Sequence, residues 1–159
     1  MIVYHGSNMV VDKPLLVKQN RNLDFGNGFY TTTNYEQAKN FALKVKILRG
    51  GNAIVNKYVI DEELLKGLII KEFPFADEEW LDFVSGNRNG TIESFSYDLI
   101  IGPVADDDVY KTLQIYQDGV ITKEQALEQL KVKELFNQYV FSTKKALRCI
   151  KMIDYFEVE

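Results

Sequence analysis

The sequence predicts an α+β fold, and three observations lead there. Short apolar runs rich in β-branched and aromatic residues are scattered along the chain. Between them lie longer stretches in which apolar residues return every three or four positions. The two kinds do not alternate in the regular β-α-β order that a doubly wound parallel sheet requires.

Met1 to Tyr4 is apolar and β-prone, and as a strand it delivers His5 and Gly6 to its end. Residues 24–33 form a glycine-containing turn leading into a β-prone stretch, Phe29 to Thr33. Asn34 caps a helix in which Ala38, Phe41, Ala42, Val45 and Leu48 recur at helical spacing, and Gly50-Gly51 stops it. Ala53–Ile60 and Gly67–Phe73 read as strands, followed by a short helix around Asp77–Val84. Tyr97–Val104 reads as a buried strand ending at Gly102-Pro103. Asp106–Asp108 opens a helix through Tyr116, its acids placed at the positive end of the helix dipole. Thr122 and Gln125 form a capping box for the next helix. Gln138–Ser142 is a strand, Thr143 caps a last short helix, and Ile153–Val158 is the final strand.

With 159 residues, three prolines and no repeat or low-complexity tract, the chain reads as a single domain, 1–159. A net charge of −4 and a pI near 5.1, with no Lys/Arg block, create no attraction for a phosphate backbone, so nucleic acid is a weak expectation as a partner. One cysteine, Cys149, allows no internal disulfide, and one histidine beside it leaves no zinc ligand set. The start of the chain carries no basic stretch leading into an apolar run, and no segment reaches the roughly 20 apolar residues of a membrane span. These features predict a cytoplasmic protein with no membrane partner.

Three short pieces carry the chemistry: Tyr4-His5-Gly6-Ser7, Asp24-Phe25-Gly26-Asn27-Gly28-Phe29-Tyr30, and Asn137-Gln138-Tyr139. Each alone is an ordinary strand end or turn. In this order, together, they resemble the His-Tyr-Glu class of ADP-ribosyltransferases, which contains diphtheria toxin and the poly-ADP-ribose polymerases. In those polymerases the pieces read His-Gly-Ser, Gly-x-Gly-x-Tyr and Asn-Glu-Tyr. The family also has an Asn-Tyr pair ending eleven residues after the motif tyrosine, where this chain has Asn40-Phe41. The chain is similar as well to small bacterial proteins of this fold, the domain of unknown function 3990. These share the string at residues 24–30 and Ile-Gly-Pro-Val-Ala-Asp-Asp at 101–107.

The resemblance implies two small, packed antiparallel sheets around an NAD cleft, flanked by helices. It implies NAD as co-substrate, with His5 on the hydroxyls of the adenosine ribose, joined by Ser7. Tyr30 belongs to the catalytic set, and Gln138 stands where the family has a glutamate on the nicotinamide ribose. The residue types suit that ligand. Nicotinamide in NAD is flat and cationic, so two aromatic faces, Tyr30 and Phe41, can sandwich it. Gly6 permits close backbone approach to the amide, and Gly26 and Gly28 permit a tight loop beneath the dinucleotide. Arg21 reads either as a pyrophosphate clamp or as a solvated loop arginine.

Two departures bear on activity. Gln138 accepts and donates hydrogen bonds but cannot carry the charge that stabilises a developing cation. Ala38 stands where the polymerases place a serine that bonds the nicotinamide amide. The expected function is therefore mono-ADP-ribosyl transfer from NAD to a macromolecule, a protein acceptor before a nucleic acid. A non-catalytic NAD or ADP-ribose binding module is the alternative. By family analogy alone the domain is toxin-like and paired with a cognate antitoxin.

Overall fold

The computed structural model describes residues 1–16, 23–90, 97–103, 107–131 and 137–159. In chain order the elements are β1 (Ile2–Ser7), β2 (Phe29–Thr32), α1 (Tyr35–Arg49), β3 (Ile54–Ile60), α2 (Glu62–Leu65), β4 (Ile70–Glu72) and α3 (Glu78–Asn89). They continue with β5 (Leu99–Pro103), α4 (Asp107–Gln117), α5 (Lys123–Lys131), β6 (Asn137–Phe141), α6 (Lys144–Leu147) and β7 (Ile150–Glu157). Among the described residues this is an α+β structure of seven strands and six helices.

The strands form one mixed sheet in the order β4-β5-β6-β2-β1-β3-β7. This corrects the expectation of two packed antiparallel sheets: the β4–β5 pair is parallel, and β1 and β2 join the two halves. That central join is thin. β1 and β2 share one pair, Tyr4↔Thr32, whereas β1 and β3 pair from Ile2↔Val59 to Ser7↔Ile54.

Local chemistry sets most element ends. Asn34 accepts from Gln37 N at 2.8 Å, and Asp77 accepts from Trp80 N at 3.1 Å, each satisfying a backbone donor of a first turn. Thr122 and Gln125 exchange both bonds of a capping box, at 2.8 and 3.2 Å. Gly50 ends α1 with φ of 77°, a left-handed conformation that glycine adopts without a steric cost.

Side chains alternate across a strand, and this divides the core. On one face Val3, Phe29, Tyr58, Leu99, Tyr139 and Phe141 pack with Ala146 of α6. The other face carries two separate clusters. Ile100 and Val140 pack with Trp80, Val84, Leu113 and Leu130 of α3, α4 and α5. Val55 packs with Ala38 and Ala42 of α1. β2 runs between these two clusters. The buried face of α1 is narrower than its periodicity predicted, because Phe41 is 50% exposed and Leu48 81% exposed.

Candidate functional site

β1 extends past the expected Tyr4 to Ser7, so His5, Gly6 and Ser7 lie within the strand. Tyr4 is paired with Thr32, and Thr32 with Gln138. The His5, Tyr30 and Gln138 backbones therefore stand on three neighbouring strands. Two strand spacings separate the outer pair, about 10 Å.

Their side chains do not share one face. Tyr4, Gly6, Tyr30, Thr32 and Gln138 point to the side that carries α1 and α3–α5, as their register requires. His5 points to the opposite side, where its ring lies 4.3 Å from that of Phe29. The link between the two sides runs through the sheet plane. His5 Nδ1 is 2.7 Å from the Tyr30 carbonyl oxygen. Burial pushes the His5 imidazole below its ordinary value, and the bond to Tyr30 opposes that only in part.

Antiparallel pairing from Tyr4↔Thr32 would next place Gly6 opposite Tyr30, but the ladder stops before it. One of the backbone groups that leave the ladder there, the Tyr30 carbonyl oxygen, takes its partner from the His5 ring instead. Gly6 has a second role. A Cβ there would lie 2.2 Å from the Ala38 carbonyl oxygen and 2.9 Å from Ala42 N, so the close approach it permits in this structure is that of α1. Ser7 is half-buried at the end of β1, paired with Ile54.

The Asp24–Tyr30 string builds a pinned turn. Gly26 has φ of 77°. The Tyr30 hydroxyl donates to Gly26 O at 2.6 Å and accepts from Phe25 N at 3.0 Å. Burial drives the phenol far above its ordinary value, the Phe25 bond opposes this, and the Asp24 carboxylate adds to it. Gly28 lets β2 approach β6, since a Cβ would lie 2.6 Å from Val140 Cγ1. Asp24 is anchored 3.6 Å from Arg88 Nε, and Asn87 Nδ2 donates to Asp24 O at 3.1 Å. Burial raises the Asp24 carboxyl above the usual range, and Arg88 pulls it back in part.

The second string proves to be a packing partner of the first. A Cβ on Gly102 would lie 3.0 Å from Phe25 Cζ and 3.1 Å from Phe73 Cβ, so this glycine makes room for the Phe25 ring. Pro103 O accepts from Trp80 Nε1 at 3.0 Å. Residues 104–106 of that string, and Arg21, lie outside the described residues.

Gln138 is 3% exposed, and its buried Nε2 has no hydrogen-bond partner among the described residues. Thr32, its neighbour across the register, donates to Gln37 Oε1 at 2.5 Å and so ties α1 to β2. Phe41 follows Gln37 by one helical turn and shares its flank. It is half-exposed rather than part of the core.

Sequence reasoning missed Thr32 and Gln37, and it missed Asn56. Asn56 is fully buried opposite His5 and bonds His5 O, Met9 O and Val11 N. The signal for Asn56 was a lone amide inside the apolar run Ala53–Ile60. A separate cavity of about 500 Å³ lies at the ends of β5 and β6, lined by Phe75, Pro103, Leu130 and Asn137 among others. It includes none of His5, Tyr30 or Gln138. Among the described residues no cluster of His, Cys, Asp and Glu is arranged to hold a metal, and no helix is long and apolar enough to cross a membrane.

The fold and site define an α+β protein with a thinly joined central pair of strands, whose two sequence strings pack together where Gly102 makes room for Phe25. Residues 1–152 match the family model described as a protein of unknown function (DUF3990), and the chain belongs to that family. No curated protein and no solved structure matches the chain.

Proposed function

We propose that this protein binds NAD across the β1–β2 junction and transfers a single ADP-ribose to a macromolecular acceptor. The observation that carries this reading is the interruption of the β1–β2 ladder after Tyr4↔Thr32, beside His5, Gly6 and Tyr30. A carboxamide fits a strand edge that lacks its pair, Tyr30 stands on β2 at that edge, and Phe41 of α1 is half-exposed. In this reading the adenosine ribose meets His5, whose ring lies on the opposite side of the sheet from Tyr30 and Gln138.

In the reaction the bond between nicotinamide nitrogen and ribose carbon breaks, and its electron pair leaves with nicotinamide. The acceptor's nucleophile then attacks the cationic carbon, and its proton passes to solvent. The chain's contribution is positioning and electrostatics, not a covalent nucleophile. The net charge of −4 favours a protein acceptor over a nucleic acid. A toxin-like role in the cytoplasm, held by an antitoxin, is the biological setting that family analogy suggests.

A second reading, a binding module without turnover, is favoured by one observation: Gln138 is neutral and buried where a carboxylate serves the family. Nicotinamide release under saturating NAD separates the two. Transfer or hydrolysis by the parent protein gives release above the uncatalysed rate. Gln138→Glu adds a charge that stabilises the transition state more than the ground state, and it should accelerate release about tenfold. If Gln138→Glu is no faster than Gln138→Ala while both bind NAD, Gln138 does not face the reacting ribose.

A further inference from the structure

α1 buries little of itself, since Ala38 and Ala42 are its buried residues. Helical periodicity then points Ile47 almost directly away from the sheet. Lys44 and Leu48 stand to one side of Ile47, and Lys39 and Lys46 to the other. This outer face is apolar at its centre: Ile47 is 84% exposed, and its neighbour Leu48 is almost as open. Phe41, two turns before Leu48 on the same side, is half-exposed. Single apolar residues on a surface are ordinary, but three on adjoining positions of one helix mark a contact surface.

The same helix is the basic part of an acidic chain. The sequence carries a net charge of −4, yet α1 sets Lys39, Lys44, Lys46 and Arg49 against Glu36 alone. The helix dipole accounts for cations in the last turn, Lys46 and Arg49, but not for Lys39 and Lys44. Among the described residues Lys66, Lys71, Arg88, Lys123 and Lys131 pair with carboxylates, whereas Lys39, Lys46 and Arg49 do not.

We propose that the outer face of α1 docks an acidic amphipathic helix of a partner protein, whose apolar stripe covers Ile47 and Leu48 while Asp and Glu on both edges of that stripe meet Lys39, Lys44 and Lys46. The run from Phe41 to Leu48 extends for about 10 Å along the axis, two turns, over which the ridges of a second helix can seat. Cations on both sides of an apolar centre set the charge the partner must carry and hold it in register. An anionic membrane would also meet the acidic remainder of the chain, which repels it. The proposal does not depend on the NAD reading.

The test titrates the full chain with three synthetic helical peptides of equal length and with phosphatidylserine vesicles. One peptide has a Leu stripe edged by Glu, one the same stripe edged by Lys, and one an Ala stripe edged by Glu. Calorimetry reads affinity, and amide shifts of the labelled chain read the place. The Leu–Glu peptide should bind with shifts at Lys44, Ile47 and Leu48, and at least about tenfold more tightly than either control. Lys39→Glu with Lys46→Glu, and separately Ile47→Ser with Leu48→Ser, should each weaken it about tenfold. Equal binding of the Leu–Glu and Leu–Lys peptides, shifts away from α1, or undiminished affinity in either folded double variant overturns the proposal. Binding to vesicles without binding to the peptide gives the face to a membrane. Self-association of the free chain that Ile47→Ser with Leu48→Ser abolishes gives it to a second copy. Either result overturns the proposal. Should the variants fail to fold, the parent's preference among the peptides and the shift map decide alone.

Discussion

Tyr30→Phe separates two roles that the motif tyrosine combines. The ring belongs to the candidate site, while the hydroxyl bridges Gly26 O at 2.6 Å and Phe25 N at 3.0 Å. Phenylalanine keeps the ring and deletes the bridge. The Phe25 N–H and the Gly26 carbonyl then lose a partner in a setting dry enough to drive the phenol far above its ordinary value. Leaving one buried polar group unsatisfied costs about 1–3 kcal/mol. Partial relaxation of the glycine turn shares the loss between two groups, so about 2–3 kcal/mol in total is expected. With a urea slope of about 2 kcal/mol per molar, the midpoint should fall by roughly 1 M. Affinity for nicotinamide, measured well below that midpoint, should change less than about threefold, because the stacking face survives. A midpoint within roughly 0.2 M of the parent would show that the hydroxyl bonds carry no net stability. Collapse of affinity with unchanged stability would show that the hydroxyl meets ligand instead of the turn.

Three further outcomes follow from the same geometry. Gly6→Ala should destabilise by more than the usual 1–3 kcal/mol of overpacking, because its Cβ meets the backbone atoms Ala38 O and Ala42 N, which move only with α1; thermal unfolding reads this. Gly102→Ala should be milder, because it meets the Phe25 and Phe73 side chains at 3.0 Å and beyond, and the same melts rank the two. His5 should titrate below 6.5, its ordinary value, in a proton spectrum that holds one histidine. Its lowered pKa means that the unfolded chain binds the proton first. Its contribution to stability is therefore full above about 6.5 and declines as pH falls through the window down to the folded value. A midpoint above 6.5 would contradict the burial argument.

The parts of this fold that local chemistry dictates were legible in the sequence. Asn34, Asp77, Thr143 and the Thr122–Gln125 box each start a helix where their side chains can hold a free backbone N–H. The α2 turn, Glu62–Leu65, was missed although Asp61 caps it, because four residues are too few to show a period. The number of sheets was not legible, since it depends on which distant strands pair. Three parallel pairs between β4 and β5, and the single β1–β2 pair, turn two half-sheets into one. For the site, alternation along β1 already sets His5 on the side of Val3 and Gly6 on the side of Tyr4. The motif order drew all three pieces together but could not say that the imidazole turns toward Phe29. Gly6 was read as room for a ligand, and sequence could not reveal that α1 uses that room.

The central claim is that NAD enters where the β1–β2 ladder stops, and amide chemical-shift mapping of the labelled chain during an NAD titration tests it most directly. The account predicts saturable shifts at His5, Gly6, Tyr30 and Thr32, smaller ones at Gln138 and Phe41, and none along β7. Shifts confined to the cavity beside Phe75, Pro103 and Asn137, or no shifts at millimolar NAD, would contradict it.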